Sequence, residues 1–280
     1  PNRIWRKSFF TTTWKETQKM TLTRHELRQS KNSLMIWTVS IGCLMAVCIF
    51  LFPEIKSEMS AISAMFASMG SFSAAFGMDK VSFGTLPGFY AIECGNILGL
   101  GGSLFASLCG ISILAKEEKE HTAEFLLTHP VSRGRIVTEK LIAVLLQITF
   151  LNIIVLLLSF GSITAIGEKI PLPELLLLHL AYFLLDLEIG AICFGISAFI
   201  RRGSLGIGLG IAAVLYFLNL IANLSEHAEF LKFITPFGYS DGASIVANVR
   251  LDASLAALGM VYGAVGICAA YIRYGRKDIA

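Results

Sequence analysis

Two carboxylates, Asp186 and Glu188, lie near the middle of a long apolar stretch of the sequence. A charge is costly at the centre of a bilayer, and acids found there often line a path or an interface. On a helix these two side chains point about 200° apart, so they cannot form a paired acid–base site by themselves. His179 lies seven residues before Asp186, on nearly the same helical face. We predict a translocation path or subunit interface that includes Asp186, Glu188, His179, Asn152 and Glu93. The structural alternative is a buried hydrogen bond to Gln147, Asn152 or Asn219, and Glu93 lies near the end of its stretch, where it can reach water.

Other chemistry-bearing motifs are absent from the sequence. A phosphate-binding loop needs Gly-x-x-x-x-Gly-Lys-Ser/Thr, and no Gly-Lys pair occurs. The five histidines are scattered, with neither a His-Glu-x-x-His nor a paired-cysteine motif, so we expect no metal and no cofactor in this chain. All six cysteines lie in apolar stretches, and we interpret them as packing residues.

The composition is that of a membrane protein. The 280 residues are 55% hydrophobic and only 15% charged, whereas soluble domains carry roughly 25% charged residues. Six apolar stretches reach the roughly 20 residues that a helix needs to cross the hydrocarbon. Lipid offers no partners to backbone N–H and C=O groups, so each stretch must be helical. We predict an all-α membrane protein with six transmembrane helices at about 34–52, 89–114, 141–163, 175–199, 205–223 and 254–272. All seven prolines lie outside these stretches, which supports the boundaries.

The distribution of Lys and Arg predicts the orientation. If the N-terminus is cytoplasmic, the cytoplasmic segments carry 18 basic residues and the outer segments carry five. The positive-inside rule then places both termini in the cytoplasm of a multi-pass plasma-membrane protein. The first residues are polar and basic without an apolar core, so we expect no cleavable signal peptide.

Residues 1–33 form a predicted N-terminal cytoplasmic segment, and residues 34–280 form the membrane domain. The first 20 residues mix aromatic and basic side chains at helical spacing, which favours an interfacial helix that contacts membrane lipid. A disordered basic tail is the alternative. Residues 57–76 and 226–248 are amphipathic, and we expect them to lie on the outer membrane surface or to cap the bundle.

Three glycine pairs have a four-residue spacing that allows helix backbones to approach closely. They are Gly95/Gly99, Gly206/Gly210 and Gly259/Gly263. We interpret them as packing faces.

A polar segment of 26 residues, 115–140, separates the second and third stretches and is far longer than a turn needs. Its first half favours a helix, in which acidic residues surround the apolar end Phe125-Leu126-Leu127, and Pro130 ends that helix. Such a helix fits a cleft in a partner protein. A solvated charged hairpin is the alternative.

The residues 117–143, EEKEHTAEFLLTHPVSRGRIVTEKLIA, resemble the signature cytoplasmic segment of the type-2 ATP-binding-cassette (ABC) permeases. The matching features are an acidic cluster, a Leu-Leu pair, Pro-Val-Ser-Arg and the basic Lys140. His121 stands where the family often has Gly. RHELRQSKNSLMIWTVSIGCLM and LKFITPFGYSD resemble the start of the family's first span and the outer segment before its sixth. The similarity extends from about Thr23 and does not include residues 1–20.

The resemblance implies a permease without an ATPase of its own. Two ABC ATP-binding subunits, which bind ATP and Mg, would dock on a coupling helix between spans two and three. A second permease copy would complete a homodimer or heterodimer. The residues that would contact the ATPases are Glu117, Glu118, Glu120, Glu124, Phe125, Leu126, Leu127, Pro130 and Arg133.

The expected function is therefore that of an exporter subunit, not an enzyme, for a hydrophobic or amphiphilic compound such as an antimicrobial peptide, a drug or a lipid. Nucleic acid is not an expected partner. Two alternatives stay open: an intramembrane enzyme that acts on lipid, and a scaffold or sensor that binds an ATPase and transports nothing.

Overall fold

Six long helices form the described part of the protein. A computed structural model describes residues 20–59, 65, 69–116, 131–200, 205–224 and 226–276. The helices are α1 (Thr21–Ser57), α2 (Leu86–Ile111), α3 (Arg133–Ala165), α4 (Leu172–Ser197), α5 (Leu205–Leu224) and α6 (Ala253–Arg276). Each is long and apolar enough to cross a membrane, which confirms the six predicted spans.

Two of these helices extend well beyond the predicted spans. α1 has 37 residues and starts at Thr21, so it runs without a break across position 34. It also continues through Pro53 to Ser57, and the expectation that this proline marks the end of the helix was wrong. Beyond the proline the helical hydrogen bonding is intact, since the Glu58 N–H still bonds to the Glu54 carbonyl at the end of the helix. α3 has 33 residues, and the Ser132 hydroxyl caps its start by accepting the Arg135 N–H.

The starts of α1 and α3 and the ends of α2 and α6 meet at one end of the bundle, which we call the terminal face. Leu22 bonds to Glu139, and Thr138 bonds to Tyr271. The other end is the opposite face, where Lys56 pairs with Glu168 at 2.7 Å. The described chain therefore begins and ends on the same side of the bundle.

α4 lies at the centre and packs against α2, α3 and α6. Glycines allow the closest approaches: a Cβ at Gly110 of α2 would lie 2.4 Å from the Gly190 carbonyl oxygen of α4. A Cβ at Gly195 would lie 2.5 Å from the Gly266 carbonyl oxygen of α6. The four-residue spacing of glycines in the sequence did not predict these contacts.

The predicted glycine faces agree with the structure at two pairs. Gly95 and Gly99 face Tyr182, and Gly259 faces Glu188. The prediction of a packing face at the third pair, Gly206/Gly210, was wrong, since a Cβ at Gly210 would meet nothing within 4 Å. Gly208, between the two predicted positions, is the glycine of α5 that packs, against Ile111.

Short elements cover the opposite face. They are Ser71–Ala75, Glu226–Phe233, Pro236–Tyr239 and Gly242–Asn248. Phe237, Tyr239 and Ile245 are buried, so the segment 226–248 caps the bundle. Residues 60–64 and 66–68 of the other predicted amphipathic segment lie outside the described residues.

Candidate functional site

Most of the predicted ATPase-contacting segment lies outside the described residues, as do residues 1–19 of the interfacial helix predicted for the first 20 residues. The undescribed coupling residues are Glu117, Glu118, Glu120, Glu124, Phe125, Leu126, Leu127 and Pro130. Arg133 is described, and its guanidinium donates to the carbonyl oxygens of Tyr274 and Gly275, both at 3.4 Å. The last carbonyls of a helix lack partners within it. Arg133 therefore joins the start of α3 to the end of α6.

Both ends of the segment 117–130 lead into one cluster of charges, the charge clamp, formed by Glu26, Lys116 and Lys140. The Lys140 side chain is 0% exposed, and its Nζ donates to Glu26 Oε1 at 2.9 Å and to the Ile113 carbonyl at 2.6 Å. Lys116 Nζ lies 3.4 Å from Glu26 Oε2 and also donates to Gln29. A single carboxylate of α1 thus binds Lys116, directly before the segment, and Lys140, within α3.

Glu139 adds a second connection between α1 and α3. Its Oε2 accepts the backbone N–H groups of Leu22 at 2.9 Å and Thr23 at 3.3 Å. The Thr23 hydroxyl donates to the Glu139 carbonyl at 2.9 Å. Met20 supplies no side-chain cap to α1, so Glu139 caps this helix from α3. A carboxylate at a helix N-terminus is favoured both by the free N–H groups and by the helix dipole.

No pattern in the sequence predicted a role for Glu26, Lys116 or Glu139. Glu26 lies 114 residues from Lys140 in the chain, and helical periodicity says nothing about so distant a pair. One signal was available: the predicted topology puts these charges on the same side of the membrane, beside the ends of spans one to three. Opposite charges at equal depth on neighbouring spans are candidates for pairing.

Asp186 and Asn152 lie together between α4 and α3. The Asn152 amide donates to Asp186 Oδ2 at 2.9 Å, and Asp186 is 1% exposed. Gly102 of α2 makes room for the carboxyl group, since a Cβ there would lie 2.5 Å from Oδ2. Asp186 Oδ1 has no hydrogen-bond partner among the described residues. Asp186 therefore makes the buried hydrogen bond that was the alternative to a functional role, and its partner is Asn152.

His179 lies two turns from Asp186 in a separate polar contact. Its Nε2 is 2.7 Å from the Tyr90 hydroxyl, which donates to Ser159 Oγ at 2.9 Å. Tyr90 begins a π-helical turn, Tyr90–Cys94, within α2. Such turns occur often at functional sites. This contact ties α2, α3 and α4 together.

Removing the Tyr90 hydroxyl tests this contact. Tyr90→Phe leaves the buried His179 Nε2 without its hydrogen-bond partner, whereas Ser159 keeps its own bond to the Val155 carbonyl. We therefore expect it to destabilise the protein by about 1–3 kcal/mol. Tyr262→Phe is the control, because that hydroxyl donates to the Phe233 carbonyl at an exposed position, and it should cost less than about 1 kcal/mol. Thermal unfolding in lipid nanodiscs measures both. Equal effects would contradict a special role for the buried contact.

Glu188 faces the other side of α4. It is 3% exposed and lies against Gly259 of α6. Neither carboxylate oxygen has a well-oriented hydrogen-bond partner among the described residues, although the Tyr239 phenol is its neighbour. Burial, and then the nearby Glu188 carboxyl, raise the pKa of the Tyr239 phenol well above its usual value. The structure thus places Asp186 and Glu188 on opposite sides of α4 and does not bring them together.

Glu93 lies apart from these residues, in the π-helical turn of α2, and is partly exposed. Across the residues that the structure describes, no group of three or more His, Cys, Asp or Glu side chains could hold a metal ion. The cysteines in that part of the chain are all free thiols.

The chain matches a known protein family. The family model described as "ABC-2 family transporter protein" matches residues 20–279. No curated protein matches the chain.

Proposed function

The chain belongs to the ABC-2 family of transporter membrane proteins, and from this premise we propose that it is the permease subunit of an ATP-driven exporter. The family and the six apolar helices make it a multi-pass membrane protein. We further propose that the terminal face is cytoplasmic and that the membrane is the plasma membrane. The excess of Lys and Arg in the segments at that face supports this orientation.

The proposed partners are two ABC ATP-binding subunits and a second permease, identical or different. ATP and Mg would be bound by the partner subunits, which would dock on the segment 117–130. The charge clamp is the observation that carries this proposal. A segment that transmits force needs rigid attachments, and Lys116 and Lys140 attach it on both sides to Glu26 of α1.

The clamp also suggests how movement would spread. ATP must favour one arrangement of the ATPases, and the docked segment passes that preference to the helices. A shift of Lys116 and Lys140 would move α1 through Glu26, while Arg133 would carry the same shift to the end of α6. The residues at the terminal face would thus move as one unit.

We propose a hydrophobic or amphiphilic substrate. A groove of about 320 Å³ between α3 and α4 supports this class of compound. Its walls are mostly apolar, with Leu156, Leu176 and Phe183 among them, and Asn152 and His179 add polar groups. Such a lining suits a molecule with an apolar body and a polar group.

Charge reversal in the coupling segment tests the docking. We expect the double substitution Glu117→Lys and Glu118→Lys to reduce stimulation of the partner ATPase by about tenfold, within the usual range of coupling energies. The folded permease should remain, because both residues precede the described start of α3. The control is Glu229→Lys, a reversal at an exposed residue of the opposite face, which should leave stimulation unchanged.

The measurement starts with purification from native membranes, where we expect ATP-binding subunits of about 25–35 kDa to copurify. No copurifying ATPase, or unchanged stimulation in the double variant, would contradict the proposal. ATPase stimulation without substrate movement in reconstituted vesicles would favour the scaffold or sensor. An intramembrane enzyme would instead act without ATP and lose turnover in Asp186→Asn.

A further inference from the structure

A long apolar groove opens between α5 and α6, with α4 as its floor. Its volume is about 540 Å³. The lining includes Ile192, Ile196, Ile211, Leu215, Val265 and Ala269. α5 and α6 are the least buried helices of the bundle, together with α1, so the groove faces the hydrocarbon of the membrane.

The shape of the groove follows from close packing on one side only. α6 lies directly against α4 because Gly195 and Gly266 carry no side chains, and a Cβ at Gly266 would lie 2.7 Å from the Ala191 carbonyl. α5 packs instead against α2 and the Glu226–Phe233 helix. The space between α5 and α6 is left without bulky side chains to fill it.

A cation stands at the terminal-face end of the groove. The Arg273 guanidinium lies 5.8 Å from the centre of the Phe199 ring, and Phe199 lines the groove. Arg273 is four residues beyond Ala269 on α6, one turn nearer to the terminal face. Within the described residues it has no hydrogen-bond or ion-pair partner, and a guanidinium carries N–H donors that can bind a phosphate.

We propose that this groove is a binding site for an anionic phospholipid, with one acyl chain along the groove and the phosphate on Arg273. The apolar lining of the groove suits an acyl chain, and the cation at one end suits an anionic headgroup at the membrane surface. The other end is formed by Ile234, Pro236 and Tyr262, which offer no cation, so the lipid has one orientation. A packed helix from a second copy would cover the apolar walls and leave Arg273 without an anion. The site does not depend on the proposed export function.

Native mass spectrometry of the full chain, in the complex in which it is isolated, tests the proposal. The probes are phosphatidylglycerol and phosphatidylcholine with identical acyl chains. We expect Arg273→Gln to weaken phosphatidylglycerol binding about fivefold, since one basic residue near a membrane surface is worth about 1 kcal/mol. Arg276→Gln is the matched control: Arg276 is an exposed arginine near the same end of α6, whereas the arginine over the groove-lining Phe199 ring is Arg273.

A second variant tests the chain-binding part. Ala269→Phe fills the groove, and we expect it to reduce binding of both lipids while Arg273 is intact. If Arg273→Gln and Arg276→Gln lost phosphatidylglycerol binding equally, the effect would come from surface charge in general, and the proposed site would be wrong. Unchanged lipid binding in Ala269→Phe would overturn it as well. If the protein formed a dimer without bound lipid, and Ala269→Phe dissociated that dimer, the groove would be the contact with a second copy and not a lipid site.

Discussion

Replacing Lys140 with alanine is expected to destabilise the protein by about 3–5 kcal/mol, because the change leaves a buried carboxylate without its closest cation. Glu26 is 5% exposed and lies 2.9 Å from Lys140 Nζ. Lys116 is farther away, at 3.4 Å, and is partly exposed, so it replaces only part of the lost attraction. The substitution also leaves the Ile113 carbonyl without its Lys140 donor.

The control is Lys232→Ala, which breaks a Lys–Glu pair of similar length. Lys232 lies 3.2 Å from Glu229 at the solvent-exposed opposite face, and such pairs are worth less than about 1 kcal/mol. Thermal unfolding in nanodiscs is measured with a thiol-reactive fluorophore after the exposed Cys43 and Cys268 have been replaced by serine, since Cys94 and Cys193 are buried until the protein unfolds. Similar losses in the two variants would contradict the assignment of a buried ion pair.

A double variant separates stability from coupling. Glu26→Gln with Lys140→Met removes both buried charges, and replacing a whole buried pair is often close to neutral. We expect this protein to recover much of the stability lost in Lys140→Ala. If the charge clamp carries a coupling energy in the usual range, ATPase stimulation by this variant should remain lower than that by the unchanged protein, by about fivefold or more. Full stimulation in the double variant would show that the clamp only stabilises the fold.

The six spans could be predicted because lipid leaves an apolar stretch of this length no structure except a helix. The residues at which the helices begin and end could not be predicted in this way. α1 begins at Thr21, well before its apolar stretch, because Glu139 of another helix caps it. α1 also continues past Pro53, because a proline removes a hydrogen bond of the helix without necessarily ending it.

The candidate site was predictable only to the level of a helical face. The angle between Asp186 and Glu188 follows from 3.6 residues per turn, and the structure places them on opposite sides of α4. The partner of each required the tertiary packing: Asn152 contacts Asp186, while Gln147 donates to the Ala143 carbonyl of its own helix. The Glu26–Lys140 ion pair could not be predicted for the same reason, since the sequence around one residue does not indicate that the other is its partner.

The close contact between α2 and α4 gives the second large effect. The backbones meet at Gly110, where a Cβ would lie 2.4 Å from the Gly190 carbonyl oxygen and 2.8 Å from the Phe194 nitrogen. Both neighbours are backbone atoms, so no side-chain rotation can relieve the overlap. Close approach through small residues is a main source of helix association in lipid.

We therefore expect Gly110→Val to destabilise the protein by about 3 kcal/mol, at the upper end of the usual cost of overpacking. The helices would have to separate, and α2 would carry the Ile113 carbonyl away from Lys140, so ATPase stimulation should fall with stability. Gly161→Val in α3 is the matched control, because a Cβ at Gly161 meets nothing within 4 Å. Its effect should stay within about 0.5 kcal/mol, the difference between these residues in a helix. If the two valine variants unfold at the same temperature, α2 and α4 are not in contact through Gly110 in the membrane, and the position of α4 at the centre of the bundle would have to be revised.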